Sequence, residues 1–88
     1  MVEIVLTPHF RRSAKRLHLS LHAAVEERVA IFQRDPFDAQ LKTHKLTGRL
    51  KGFWSFSVDH RLRVIFEFIG KKRVVFHVIG DHSIYDVF

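Results

Sequence analysis

Apolar and polar positions follow several different rhythms along this chain. Glu3 to Leu6 is short and β-prone and reads as a strand. Thr7-Pro8 then offers an N-cap and a first-turn proline, a good helix start. Phe10, Ala14 and Leu17 recur at i, i+4 and i+7, while Arg11, Arg12, Lys15 and Arg16 fall largely elsewhere. That spacing predicts an amphipathic helix with a basic face. Ser20 is placed to cap a second helix with the stripe Leu21, Ala24, Val25, Val29 and Phe32. Glu26, Glu27 and Arg28 sit off the stripe, and the helix should stop near Asp35-Pro36, because proline cannot continue it. Two such helices with a short joint predict a helical hairpin whose stripes share one sheet.

Periodicity lapses from Phe37 to Gly52, where Gly48 and Gly52 read as turn residues. Phe53 to Val58 alternates as a strand, and Asp59-His60 makes a turn. Leu62 to Ile69 is the next strand, with Leu62, Val64, Phe66 and Phe68 on one face and Arg63, Ile65, Glu67 and Ile69 on the other. Gly70-Lys71-Lys72 is a hairpin turn, and Arg73 to Ile79 is apolar nearly throughout, as a central strand is. Gly80-Asp81-His82 ends that strand, and Ser83 to Phe88 forms a tail, either extended or one turn of helix. The order β-α-α-β-β-β predicts a single α+β domain over residues 1–88: a two-helix hairpin on a mainly antiparallel four-stranded sheet. The sheet's other face is then covered by the tail, occupied by a ligand, or open.

Composition narrows this further. An apolar fraction of 47% with nine Phe supports a packed core without staples. The absence of Cys rules out disulfides and thiolate metal sites. Fifteen Lys+Arg against nine Asp+Glu leave a net charge of +6, which suits an acidic partner: nucleic acid, an anionic membrane or an acidic protein. MVEIVLTPHF is neither a signal nor a transit peptide, and no stretch approaches the roughly 20 apolar residues of a membrane span, so a cytoplasmic protein is expected. His18 and His22 are four apart but straddle the Ser20 cap without a third ligand nearby, and read as surface histidines.

Candidate chemistry concentrates between Leu41 and Phe66. His44 and His60 lie there with Lys42, Lys45, Arg49, Lys51, Arg61, Arg63 and the only tryptophan, Trp54. Histidine both takes and gives protons, and Arg and Lys bind phosphate and stabilise charge developing on it. The same residues also suit a basic loop leading into a half-buried hairpin. His77 sits within an apolar strand and reads as a core histidine; Phe53 and Trp54 read as core.

Three segments carry a family likeness. They are His44-Lys45-Leu46-Thr47-Gly48 with Leu50-Lys51-Gly52-Phe53-Trp54-Ser55, then His60 to Phe66, then Ile79-Gly80-Asp81-His82-Ser83-Ile84-Tyr85. Together they resemble the RelE superfamily of bacterial toxins, especially its YafQ- and YoeB-like branches. The resemblance implies the toxin of a type II toxin–antitoxin module: a ribosome-dependent endoribonuclease, or mRNA interferase, that cuts mRNA and is silenced by a cognate antitoxin. By position, His44 matches a loop histidine, Arg63 a strand arginine near the scissile phosphate, His82 the C-terminal catalytic histidine and Tyr85 the terminal aromatic. Asp59 is an approximate match to an aspartate of the YafQ-like meander. Tyr85 follows His82 by three residues where that branch has four, and Asp86 takes the fourth place. The loop glutamate of the YoeB-like branch has no counterpart.

Metal-free RNA cleavage needs a base near the 2′-OH, an acid near the leaving 5′-oxygen and cations on the phosphorane. His44, His82 and Arg63 suffice without a cofactor, and Lys42, Lys45, Arg49, Lys51 and Arg61 are candidates to hold phosphates of mRNA or the ribosome. In a three-stranded meander the first strand's entrance and the last strand's exit lie at opposite ends, so the segment 37–52 must fold back for His44 to meet His82. Asp59 or Asp86 is then a candidate orienting carboxylate. Two other readings stand beside this one: a ParE-like toxin acting on DNA gyrase, a branch without this histidine pair, and a non-catalytic basic nucleic-acid-binding module.

Overall fold

A computed structural model describes residues 1–88. The elements are β1 (Glu3–Leu6), α1 (Pro8–Lys15), α2 (His22–Arg34), β2 (His44–Lys45), β3 (Trp54–Ser57), β4 (Arg63–Gly70), β5 (Arg73–Gly80) and α3 (Ile84–Val87). Thr7 caps α1 as expected: its hydroxyl accepts the Phe10 N–H at 2.9 Å and donates to the His77 carbonyl at 3.2 Å, tying the helix start to β5. The start of α2 differs from expectation. A 3-10 turn, Leu19–Leu21, precedes it, and the cap is His18, whose Nδ1 accepts the Ser20 N–H at 3.1 Å. A ring nitrogen here does what the Ser20 oxygen was expected to do two residues later. The helix ends at Arg34, before Pro36.

The sheet has five strands in the order β1-β5-β4-β3-β2, one more than the sequence suggested. β1 runs parallel to β5 and the remaining pairs are antiparallel, so β5 is flanked on both sides. The added strand is β2. The segment after it curls back through Gly48 and Gly52, at φ of 63° and 98°, where a side chain is strained. A Leu46 N–H to Phe53 carbonyl bond of 2.9 Å closes the curl. His44 thereby pairs with Ser55, and Lys45 with Trp54.

Both helices cover one face of the sheet. Phe32 of α2 is fully buried at the centre, its ring 4.9, 5.0 and 5.3 Å from those of Phe56, Phe66 and Phe76. Each ring so buried contributes about 1.5–3 kcal/mol. Leu62, Val64 and Phe66 face the helices, as the alternation indicated, with half-buried Phe68 packed against them. β5 carries a bulge: Ile65 pairs with Val78 but Phe66 with Phe76, leaving His77 as the extra residue. His77 and Val78 therefore both turn to the second face.

That second face is covered by the chain's own tail. Ile84 packs against Leu50, Ile65 and Val78, and Phe53, Tyr85 and Phe88 extend the cluster. The tail forms one helical turn and lies so close to the end of β5 that a Cβ on Gly80 would stand 2.6 Å from Ile84 Cγ2. No helix is long and apolar enough to cross a membrane. Because Ile84 is β-branched and buried, Gly80→Ala should force the tail from its seat and lower stability by about 1–3 kcal/mol. A urea titration reads this as a lower midpoint; an unchanged midpoint would mean that the tail does not rest on the strand end.

Candidate active site on the tail-covered face

Strand register sets the second face out in rows. One row runs His44, Ser55, Ile65, Val78 across β2 to β5, and the next runs Ser57, Arg63, Gly80. Directly paired residues on one face stand about 4.5–5.5 Å apart at Cβ, and a two-residue step along a strand is about 7 Å. His44 and Ser55 are therefore neighbours, and Arg63 lies one step away.

The tail completes this arrangement. Tyr85 places its hydroxyl 2.6 Å from Ser55 Oγ, and its ring meets that of His82 edge-on at 5.4 Å between centroids. Strand pairing of His44 with Ser55, the Ser55–Tyr85 hydrogen bond and the Tyr85–His82 ring contact thus lead in three steps from one histidine to the other. The segment 37–52 does fold back, through the pairing of β2 with β3. Ser55 belongs to the segment with the family likeness but had no role assigned; its part follows from a contact thirty residues away in the chain.

The neighbours of each group fix its chemistry. His44 Nδ1 lies 3.0 Å from the Lys42 carbonyl, which can only accept, so Nδ1 carries the proton. In the neutral ring Nε2 is then the free base. Lys42 itself holds φ of 53°, a left-handed conformation that aims its carbonyl at the ring. Arg63 is half-buried, and one of its terminal nitrogens donates to the carbonyls of Asp59 and Leu62. Its other N–H groups remain available for an anion in fork geometry. His77 is half-buried, paired through Nε2 with Glu67 at 2.8 Å and packed between Phe53 and Phe88, as a core histidine.

The remaining candidates divide. Lys45 sits with its ammonium 5.6 Å from the Trp54 ring centre, and with Lys51 it lines a hollow of about 410 Å³ at the β2 edge. Arg61 lines a different hollow, of about 470 Å³, beside Arg16 at the end of the sheet. Arg49 is turned to the protein itself, donating to the main-chain oxygens of Tyr85 and of Phe88, the latter at 2.7 Å. It clamps the turn that carries Tyr85. Asp86 is exposed, and no three His, Asp or Glu side chains converge as metal ligands would.

Asp59 serves the β3–β4 turn. Its carboxylate accepts the N–H groups of Leu62 at 2.6 Å and Arg61 at 2.7 Å. The Leu62 N–H does most to hold it below its ordinary value of 3.8, Arg61 N–H and the charges of His60 and Arg63 adding to this against desolvation. A depressed carboxylate contributes stability above its unfolded value and loses it as pH falls through the folded one. Asp59→Asn keeps an acceptor without the charge, so it should flatten the fall in urea midpoint below about pH 4. An acid limb identical to that of the unaltered protein would remove Asp59 from this role.

No protein-family model matches the chain, and no curated protein matches it in sequence. Solved structures do. The toxin–antitoxin complex RelBE2 from Mycobacterium tuberculosis contains a chain that superposes with a TM-score of 0.77 at 20% identity, over 92% of this chain and 98% of that one. YafQ from E. coli strain BL21(DE3) gives 0.76 at 19% identity, over 97% and 98%. A YoeB/ParE toxin from Agrobacterium tumefaciens gives 0.75 at 19%, over 92% and 99%. At these identities the likeness is one of architecture, and the architecture of this chain is the RelE-like toxin fold shared by YafQ and YoeB.

Proposed function

We propose that the chain is the toxin of a type II toxin–antitoxin module and cleaves mRNA on the ribosome, with the RNA's own 2′-OH as nucleophile. One observation supports this reading: His44 pairs with Ser55, whose hydroxyl meets that of Tyr85, whose ring meets His82, with Arg63 a strand step away. The RelE-like fold supports it, as does the net charge of +6. The toxin–antitoxin complexes among the structural neighbours support a cognate antitoxin as protein partner.

The groups divide the reaction between them. His44 Nε2 takes the 2′-OH proton as the 2′-oxygen bonds to phosphorus. The phosphorus–O5′ bond breaks, and protonated His82 gives its proton to that oxygen. Products are a 2′,3′-cyclic phosphate and a 5′-OH. Arg63 donates to the non-bridging oxygens, where negative charge grows. Tyr85 positions His82, and Arg49 positions Tyr85. Lys42, Lys45, Lys51 and Arg61 hold flanking phosphates of mRNA or the ribosome without reading sequence. No cofactor enters, because every proton and charge has a side chain to receive it.

Single-turnover cleavage on programmed ribosomes tests this assignment. His44→Ala and His82→Ala should each cost about 10²–10⁴ in rate while ribosome binding persists. The pH–rate profile of the unaltered protein should be bell-shaped; His44→Ala should lose the acid limb and His82→Ala the alkaline limb. A double variant that still cuts, or two single variants that lose the same limb, would defeat the proposal.

A further inference from the structure

At the end of β3, starting from the Ser57–Arg63 row, lies a hollow of about 240 Å³ that the reaction above touches only through Lys42 and Arg63. Its wall brings together Arg28 of α2, Lys42, His60 and Arg63, with Asp59 the only carboxylate. Arg28 came from a helix position that the sequence placed simply off the apolar stripe. Two of the three fixed cations are held in place by carbonyls: Arg28 donates to the Gln40 oxygen at 3.1 Å, and Arg63 to those of Asp59 and Leu62. No carboxylate lies within ion-pair distance of Arg28, Lys42 or Arg63; the chain's close carboxylate contacts are Glu3–Arg73 and Glu67–His77. The Asp59 carboxylate is engaged by the N–H groups of Arg61 and Leu62. Three fixed cations facing one carboxylate, itself engaged by main-chain N–H groups, call for a further anion, and the fork of an arginine fits phosphate.

We infer that this hollow binds the backbone phosphate of the nucleotide next to the one that reacts. Two features favour a phosphodiester over the carboxylates of an acidic peptide. The hollow opens one strand step, about 7 Å, from the His44–Ser55 row, a distance one nucleotide spans. It is also linked to that row through Lys42, which lines the hollow and holds His44 with its carbonyl. Arg63 stands between the two positions and serves both. The inference deepens the proposed activity by naming a substrate subsite, and its test is independent of cleavage.

The test uses the full chain and a short single-stranded RNA made uncleavable by one 2′-deoxy nucleotide, with affinity followed against salt. Arg28→Gln should weaken binding about tenfold and reduce the slope of log affinity on log salt by about 0.7, the value of one phosphate contact on a single strand. A neutral methylphosphonate at the phosphate beside the deoxy position should weaken the unaltered protein by at least that factor, because it also forfeits Lys42 and Arg63, and Arg28→Gln should then add nothing. Inorganic phosphate should compete only weakly, because it lacks the neighbouring nucleotide.

Several outcomes would overturn the subsite: an unchanged slope for Arg28→Gln, additive effects of variant and methylphosphonate, or no binding of the RNA at low salt. So would an Arg28-dependent affinity for inorganic phosphate or an acidic peptide that the RNA does not share. Arg28-dependent RNA binding by a protein that cuts nothing would keep the subsite and defeat the proposed activity instead.

Discussion

A sheet of five strands has two faces to keep from water, and this chain has only two long helices, both on one of them. The second face is closed by the last few residues, and the rest of the site depends on that closure. It is held at three points. Ile84 packs on Ile65 and Val78, Gly80 leaves room for it, and Arg49 donates to the Tyr85 and Phe88 oxygens. Burial of Ile84 contributes about 1.5–3 kcal/mol, and the exposed, solvent-screened hydrogen bonds of Arg49 contribute less. The same closure sets Tyr85 over Ser55 and puts His82 at its edge. Hydrophobic cover and the placing of a titratable group are therefore one event.

The opposite side of the candidate site is built by backbone rather than by packing. β2 is only two residues long, at the sheet edge, and its register is fixed by β3 on one side and by the Gly48–Gly52 curl on the other. A left-handed Lys42 then supplies the carbonyl that sets the His44 ring. Arg63 is likewise held by carbonyls of the β3–β4 turn, which Asp59 shapes through two main-chain N–H groups. Each candidate group is oriented by a second layer of contacts, which is how a reactive geometry is kept within narrow limits.

Much of this was legible in the sequence, where local pattern governs. The alternation Leu62, Val64, Phe66, Phe68 gave the buried face of β4, Thr7-Pro8 the start of α1, and Pro36 the end of α2. Other features rest on contacts that no local pattern carries. β2 is too short to show a period. A histidine caps the turn before α2, where the usual signal is Ser, Thr, Asp or Asn. The bulge at His77 breaks the alternation that would have turned Val78 to the helices. Arg49 reads as one more cation of a basic loop, and only the returning tail reveals its partners 36 and 39 residues on. His44, His82, Arg63 and Tyr85 were nameable because the chain resembles a known family; register puts His44 and Arg63 on one face, and the returning tail brings Tyr85 and His82 to it.

The central claim is that an imidazole on β2 and one on the tail act at a single phosphodiester with the RNA's own 2′-OH as nucleophile. Chemical analysis of the new RNA ends tests it most directly, in the presence of a metal chelator and with a substrate carrying one 2′-deoxy nucleotide as control. The account predicts 5′-OH ends facing 2′,3′-cyclic phosphate or its 3′-phosphate hydrolysis product, and no cutting at the 2′-deoxy position. Ends bearing a 5′-phosphate and a 3′-OH, or cleavage at the deoxy position, would contradict it.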